Sequence, residues 1–137
     1  MSAFDMLDPD QTWRIFWLLR QLAKTRELSE SELQQLSEKA DATDHWIARL
    51  NLCQLFAATG VPATLREDIF PFLRESFGDH RVIVRAWAIS ALAHFGNDMR
   101  FRAEIGAMIR KAQKEGGKSM QARLRYVKPL SDDRLKR

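Results

Sequence analysis

The feature that most restricts the fold of this chain is its likeness to itself. Shifted by 36 residues, Ile47-Ala48-Arg49-Leu50 falls on Ile83-Val84-Arg85-Ala86, Phe56 on Leu92, Ala57 on Ala93 and Gly60 on Gly96. The same shift carries Ile69 onto Ile105 and Leu73 onto Ile109, and Leu33 and Leu36 onto Ile69 and Phe72. A step of 38 continues the series, setting Ala122-Arg123-Leu124 on Val84-Arg85-Ala86. An interval of this length holds two short helices, and such a pair buries its apolar faces only by stacking on the next pair. An all-α chain, wound as a helical solenoid, is expected.

The local pattern agrees, because nearly every segment has helical period and no stretch alternates as a strand does. A first helix is expected over Thr12–Lys24, with Ile15, Leu18, Leu19 and Leu22 as its apolar stripe. Ser29-Glu30-Ser31-Glu32 is a capping box, in which the Ser29 hydroxyl takes one exposed amide and the Glu32 carboxylate takes another; it opens a helix to about Ala40. A third helix is expected over about Asp44–Thr59, ended by Gly60, which tolerates the left-handed backbone of a helix C-terminus. The fourth covers about Ala63–Phe77 and carries Pro71 inside, where one backbone hydrogen bond is lost and a bend is expected. After Gly78-Asp79 a fifth runs from Arg81 to Phe95, closed by Gly96. A sixth spans about Asp98–Lys114, Gly116-Gly117 interrupts, and a seventh spans about Ser119–Val127 before Pro129.

Composition removes several classes. The chain has 137 residues, room for one domain. A single cysteine, Cys53, forms no intrachain disulfide, which fits a reducing, cytoplasmic setting. The first residues carry Asp5, Asp8 and Asp10 where a signal peptide needs basic ones, and no apolar run reaches the roughly 20 residues of a membrane span. Phosphate loops, nucleophile elbows and paired His or Cys at metal spacing do not occur, so no enzyme and no cofactor is expected. The net charge of +4 is unevenly placed: residues 1–99 hold 10 basic and 14 acidic side chains, and residues 100–137 hold 12 and 4.

The best-formed unit runs from Ile69 to Gly96, with Pro71 in its first helix, Asp79 in its turn, Val84-Arg85 opening the second helix, then Ala88, Ala91-Leu92 and Phe95-Gly96. It resembles the HEAT repeat, with the family's spacing from Pro71 to Asp79 and from Asp79 to Arg85. The flanking units match less well, since Thr43 and Gly117 stand where Asp79 does and the last unit has no proline in its first helix. The resemblance implies a short right-handed α-α superhelix of about three HEAT-like hairpins: a cap helix within 1–28, units at 29–60, 61–96 and 97–127, and a frayed tail at 128–137. It also implies that second helices line a concave face that binds other proteins.

Candidate surfaces follow. Arg49, Arg85 and Arg123 recur at one place in the unit and are expected to form a ladder. Each either ties its helix to the preceding turn, Asp79 with Arg85 being the clearest pair, or faces an acidic partner or phosphates. Arg49 and Arg123 lack the aligned Asp, which leaves them freer for the second role. The fifth helix is apolar almost all round and is expected to be central, with Trp46 and Trp87 packed in the core or reaching the groove. On the first helix, Trp13 and Trp17 lie opposite the apolar stripe beside Arg20, either covered by the preceding segment or offered to a partner or a second copy. His45, His80 and His94 are read as structural or solvated, and Cys53 as a buried, inert thiol.

The sixth helix is expected to turn Phe101, Ile105, Met108, Ile109 and Ala112 inward. Arg100, Arg110, Lys111 and Lys114 then face outward, followed by Lys118, Arg125 and Lys128. This face is either simply solvated or a seat for nucleic-acid phosphates. With Tyr126 the one aromatic residue among these charges, such binding has no means of reading sequence. HEAT-like repeats also build DNA alkylation repair glycosylases, whose concave face carries Arg/Lys, tryptophans and a carboxylate. The second helices of this chain are nearly free of acidic residues, so the expectation stays with a non-enzymatic protein-interaction module, and with sequence-independent nucleic-acid binding as the alternative.

Overall fold

The computed structural model describes residues 21, 28–40, 46–95 and 98–125, with backbone only for 36–40. The chain is all-helical, and no strand occurs among the described residues. Its helices are α1 (Glu30–Ala40), α2 (Trp46–Thr59), α3 (Arg66–Phe77), α4 (Val82–Leu92) and α5 (Arg102–Glu115). Residues 118–125 form a further helical segment, α6. Short 3-10 turns at Ala63–Leu65 and Ala93–Phe95 lead into α3 and out of α4.

Local chemistry sets the ends where the sequence places them. The capping box forms: the Ser29 amide donates to Glu32 Oε1 at 2.9 Å and the Glu32 amide to Ser29 Oγ at 3.1 Å. Gly60 takes φ +73° after α2, and its amide closes the helix on the Phe56 carbonyl at 2.9 Å. Pro71 lies within α3 at an exposed position, and the helix continues through it to Phe77. The expected fifth helix keeps α geometry only to Leu92 and tightens to 3-10 over its last three residues.

Helices α1, α3 and α5 begin at residues 30, 66 and 102, and α4 and α6 at 82 and 118, so both series advance by 36. Burial follows the same interval: Leu33, Ile69 and Ile105 are buried, as are Ala48, Val84 and Met120, and Leu52, Ala88 and Leu124. The expected final step of 38 is therefore corrected to 36. That step matched residue types, whereas the core selects which side chains face inward. Met120 fills the place of Val84, exposed Gln121 takes that of Arg85, and Arg123 falls in register with Trp87.

Side-chain contacts give the directions of the helices. Arg81, just before α4, lies over Trp46 at the start of α2, while His94, just after α4, meets the Ala57 carbonyl near the end of α2. Helices α2 and α4 thus run parallel and in close contact, and α4 also packs on α3 and α5. On the other side Glu30 pairs with Thr64, and Glu67 with Arg100, joining the starts of successive helices one interval apart. The core between these rows is continuous. At one end of it Phe70, Phe95 and Phe101 cluster, with Phe70 and Phe101 stacked at 4.6 Å and Phe95 edge-on to Phe101 at 5.6 Å. Each such pair adds about 0.5–1.5 kcal/mol to the area it buries.

Candidate functional site

In the expected arginine ladder Arg85 ties its helix to the preceding turn, while Arg49 and Arg123 depart from the expectation. Arg49 is not free: Nη1 donates to Ser76 Oγ at 2.8 Å, Nη2 lies 3.4 Å from Glu75 Oε1, and the guanidinium sits 5.0 Å from the centre of the Phe72 ring. Arg85 donates from Nη1 to the Asp79 backbone carbonyl at 2.7 Å and pairs through Nη2 with Glu115. The tie between Arg85 and Asp79 is therefore made, but to the peptide oxygen. The Asp79 carboxylate instead accepts the Arg81 amide at 2.8 Å, shaping the turn into α4. Arg123, outside the register of the other two, lies over the Trp87 ring at 4.2 Å. The ladder residues are thus fasteners between helices.

Ser76 is the residue that sequence reasoning missed. It is wholly buried, donates to the Phe72 carbonyl at 2.8 Å and accepts from Arg49. One interval later stands Ala112, so a hydroxyl in a position otherwise filled by a small apolar residue was the available signal. Cys53 is buried close by, as expected. Burial pushes its thiol up to about 12, more than the Ser76 hydrogen bond and the Arg49 charge lower it.

Of the two places expected for Trp46 the core is excluded: it is 37% exposed, with the Arg81 guanidinium 4.7 Å above its ring. Helix α4 is central but not enclosed all round, since Val82 and Ile83 are 38% and 40% exposed. First-turn side chains project beyond the neighbouring helices, so an apolar pattern there does not imply burial. Trp87 is half-buried beneath Arg123. Trp46, Arg81, Val82 and Ile83 gather at the edge where α2 and α4 begin. The ends of α3 and α5 reach this edge through the Arg49–Glu75 and Arg85–Glu115 pairs.

The basic face is partly dismantled. Arg100 is committed to Glu67 at 2.7 Å, to Asp98 at 2.6 Å and to the Ala63 carbonyl at 3.3 Å. Hydrogen bonds from the Arg100 guanidinium, with further ones from its amide and from Arg66, hold the Asp98 carboxyl well below the usual range. Arg110, Lys111, Lys114, Lys118 and Arg125 are exposed and form no ion pair among the described residues. Trp13, Trp17, Arg20, Lys128 and His45 lie outside the described residues.

A cleft of about 500 Å³ opens around the end of α2, lined by Leu28, Leu33, Gly60, Val61, Arg66 and His94 among others. Its polar groups are turned to the protein itself: Arg66 Nε donates to the Val61 carbonyl at 3.0 Å, and His94 Nε2 lies 2.6 Å from the Ala57 carbonyl. His94 therefore bonds a final carbonyl of the neighbouring helix α2. No group of three or more His, Cys, Asp or Glu side chains that could hold a metal occurs among the described residues, and no helix there is long and apolar enough to cross a membrane. No family model, curated protein or solved structure matches this chain.

Proposed function

We propose that this chain is a non-enzymatic protein-interaction module, a short HEAT-like α-solenoid of about three hairpins. One observation carries the reading: helix starts at 30, 66 and 102, and at 82 and 118, advance by 36 residues, and the same positions are buried at each interval. Stacked pairs of this kind share one continuous core and offer extended surfaces to partners. The Pro71, Asp79 and Val84-Arg85 pattern of the middle unit supports the family resemblance. A cytoplasmic setting fits the single thiol, Cys53. The test is isolation of complexes of the full chain from its own cell, with and without nuclease. A protein partner retained after nuclease treatment is expected; recovery of nucleic acid alone would overturn the proposal.

A second reading, sequence-independent binding of nucleic acid, draws on the exposed Arg110, Lys111, Lys114 and Lys118. Affinity for duplex DNA should then fall steeply with salt, and charge reversal of Lys111 and Lys114 should lower the salt slope. Absence of any shift at low salt rejects it.

A further inference from the structure

We infer that the edge formed by the starts of α2 and α4 docks an acidic segment of a partner protein that carries apolar anchor residues. This rests on the interaction-module reading and names its surface and the chemistry of its partner. Of the four exposed large hydrophobic residues described, Trp46, Val82 and Ile83 lie at this edge, and the fourth, Met99, does not. Arg81 joins them, its guanidinium over the Trp46 ring and its backbone next to Val82. Scattered apolar side chains on a surface are ordinary, but a cluster rimmed by charge marks a contact surface.

Among the described residues the rim is positive, and its carboxylates are engaged within the molecule: Asp79 by the Arg81 amide, Glu115 by Arg85 and Glu75 by Arg49. Lys114 and Lys118, on either side of the Gly116-Gly117 turn, are exposed without an ion pair among the described residues. Helix α4 has no acidic residue in its first turn, so the positive end of its dipole adds to the same field. An acidic chain complements that rim, while Trp46, Val82 and Ile83 require apolar side chains from the same segment. Nucleic acid fits less well, because the Arg81 guanidinium occupies a face of Trp46 on which a base could stack, and phosphates gain nothing from Val82 and Ile83.

The experiment places a photo-crosslinking amino acid in the full chain at Ile83 and, separately, at Ala107 on the exposed side of α5. Both variants are irradiated in the cell of origin. Capture from position 83 of a protein segment rich in Asp and Glu and bearing Leu, Ile, Phe or Trp is expected. As a peptide, that segment should bind the unmodified chain, and binding should weaken about tenfold or more in Val82→Ser/Ile83→Ser and in Arg81→Glu, with helix content unchanged. Capture only from position 107, or of a basic segment or nucleic acid at position 83, overturns this edge; a protein captured from position 107 leaves the interaction module standing. No protein captured from either position overturns both.

Discussion

Arg49 on α2 and Ser76 on α3 meet at 2.8 Å, and the hydroxyl that receives the guanidinium also donates to the Phe72 carbonyl at 2.8 Å. One buried oxygen thus serves two helices. Ser76→Ala removes the acceptor and leaves a largely buried guanidinium one partner short, for an expected loss of about 1–3 kcal/mol in urea unfolding. Arg49→Met keeps much of the packing on Phe72 and leaves Ser76 its bond to the carbonyl, so it should cost less. A double-mutant cycle should return a coupling of about 0.5–3 kcal/mol. Additive losses would show that the two residues act independently.

Gly60 sits at φ +73°, where a side chain is strained by its own backbone. A Cβ there would approach His94 Nδ1 no closer than 3.6 Å, an ordinary contact. The expected cost of Gly60→Ala is therefore conformational, about 1–2 kcal/mol. Gly60→Asn should recover part of it, since Asn enters this region more readily. Equal losses for Ala and Asn in thermal unfolding would assign the effect to crowding against His94 instead.

Much of this architecture was legible in the sequence, because period and capping are local. Leu33, Ile69 and Ile105 declare their inward faces by spacing alone, and Ser29 with Glu32 fixes the start of α1. The partners of charged residues were not legible. Arg49 and Glu75 are 26 positions apart, and Arg85 and Glu115 are 30 apart, separations that only the folded chain closes. The last register failed for a related reason: Ala122-Arg123-Leu124 resembles Val84-Arg85-Ala86 in residue type, but Met120 is the side chain that the core accepts. The exposed edge was hidden because Val82 and Ile83 belong to a helix whose remaining apolar residues are mostly buried.

Cys53 links the core to alkaline pH. Its thiol is raised from the ordinary value of 9.0 to about 12 in the folded chain, chiefly by burial. Between those two values the unfolded chain releases a proton that the folded chain keeps, so stability should fall with rising pH by up to about 1.4 kcal/mol per pH unit. Below the unfolded value both states hold the proton and the group contributes no slope. Cys53→Ala should flatten this alkaline slope while lowering stability at neutral pH through the lost sulfur contacts. A thiol reagent at pH 8 should label the native chain only as fast as it opens, and rapid labelling would contradict the burial.

The corrected register also sets a graded cost for truncation along the chain. Leu52 and Leu124 occupy the same helix position two intervals apart, the first wholly buried in α2 and the second 8% exposed in α6. Leu52 belongs to a helix packed closely against α4, which in turn touches α3 and α5, so the cavity left by Leu52→Ala has packed walls that relax little. Truncation of a buried Leu to Ala costs about 2–5 kcal/mol, more when the surroundings stay in place. Leu52→Ala should fall near the top of that range and Leu124→Ala near the bottom. Amide exchange should follow the same order, slowest in α2 and α4 and faster in α6. Equal losses at the two positions, with uniform exchange, would mean that the chain unfolds as one unit whatever the position of the residue.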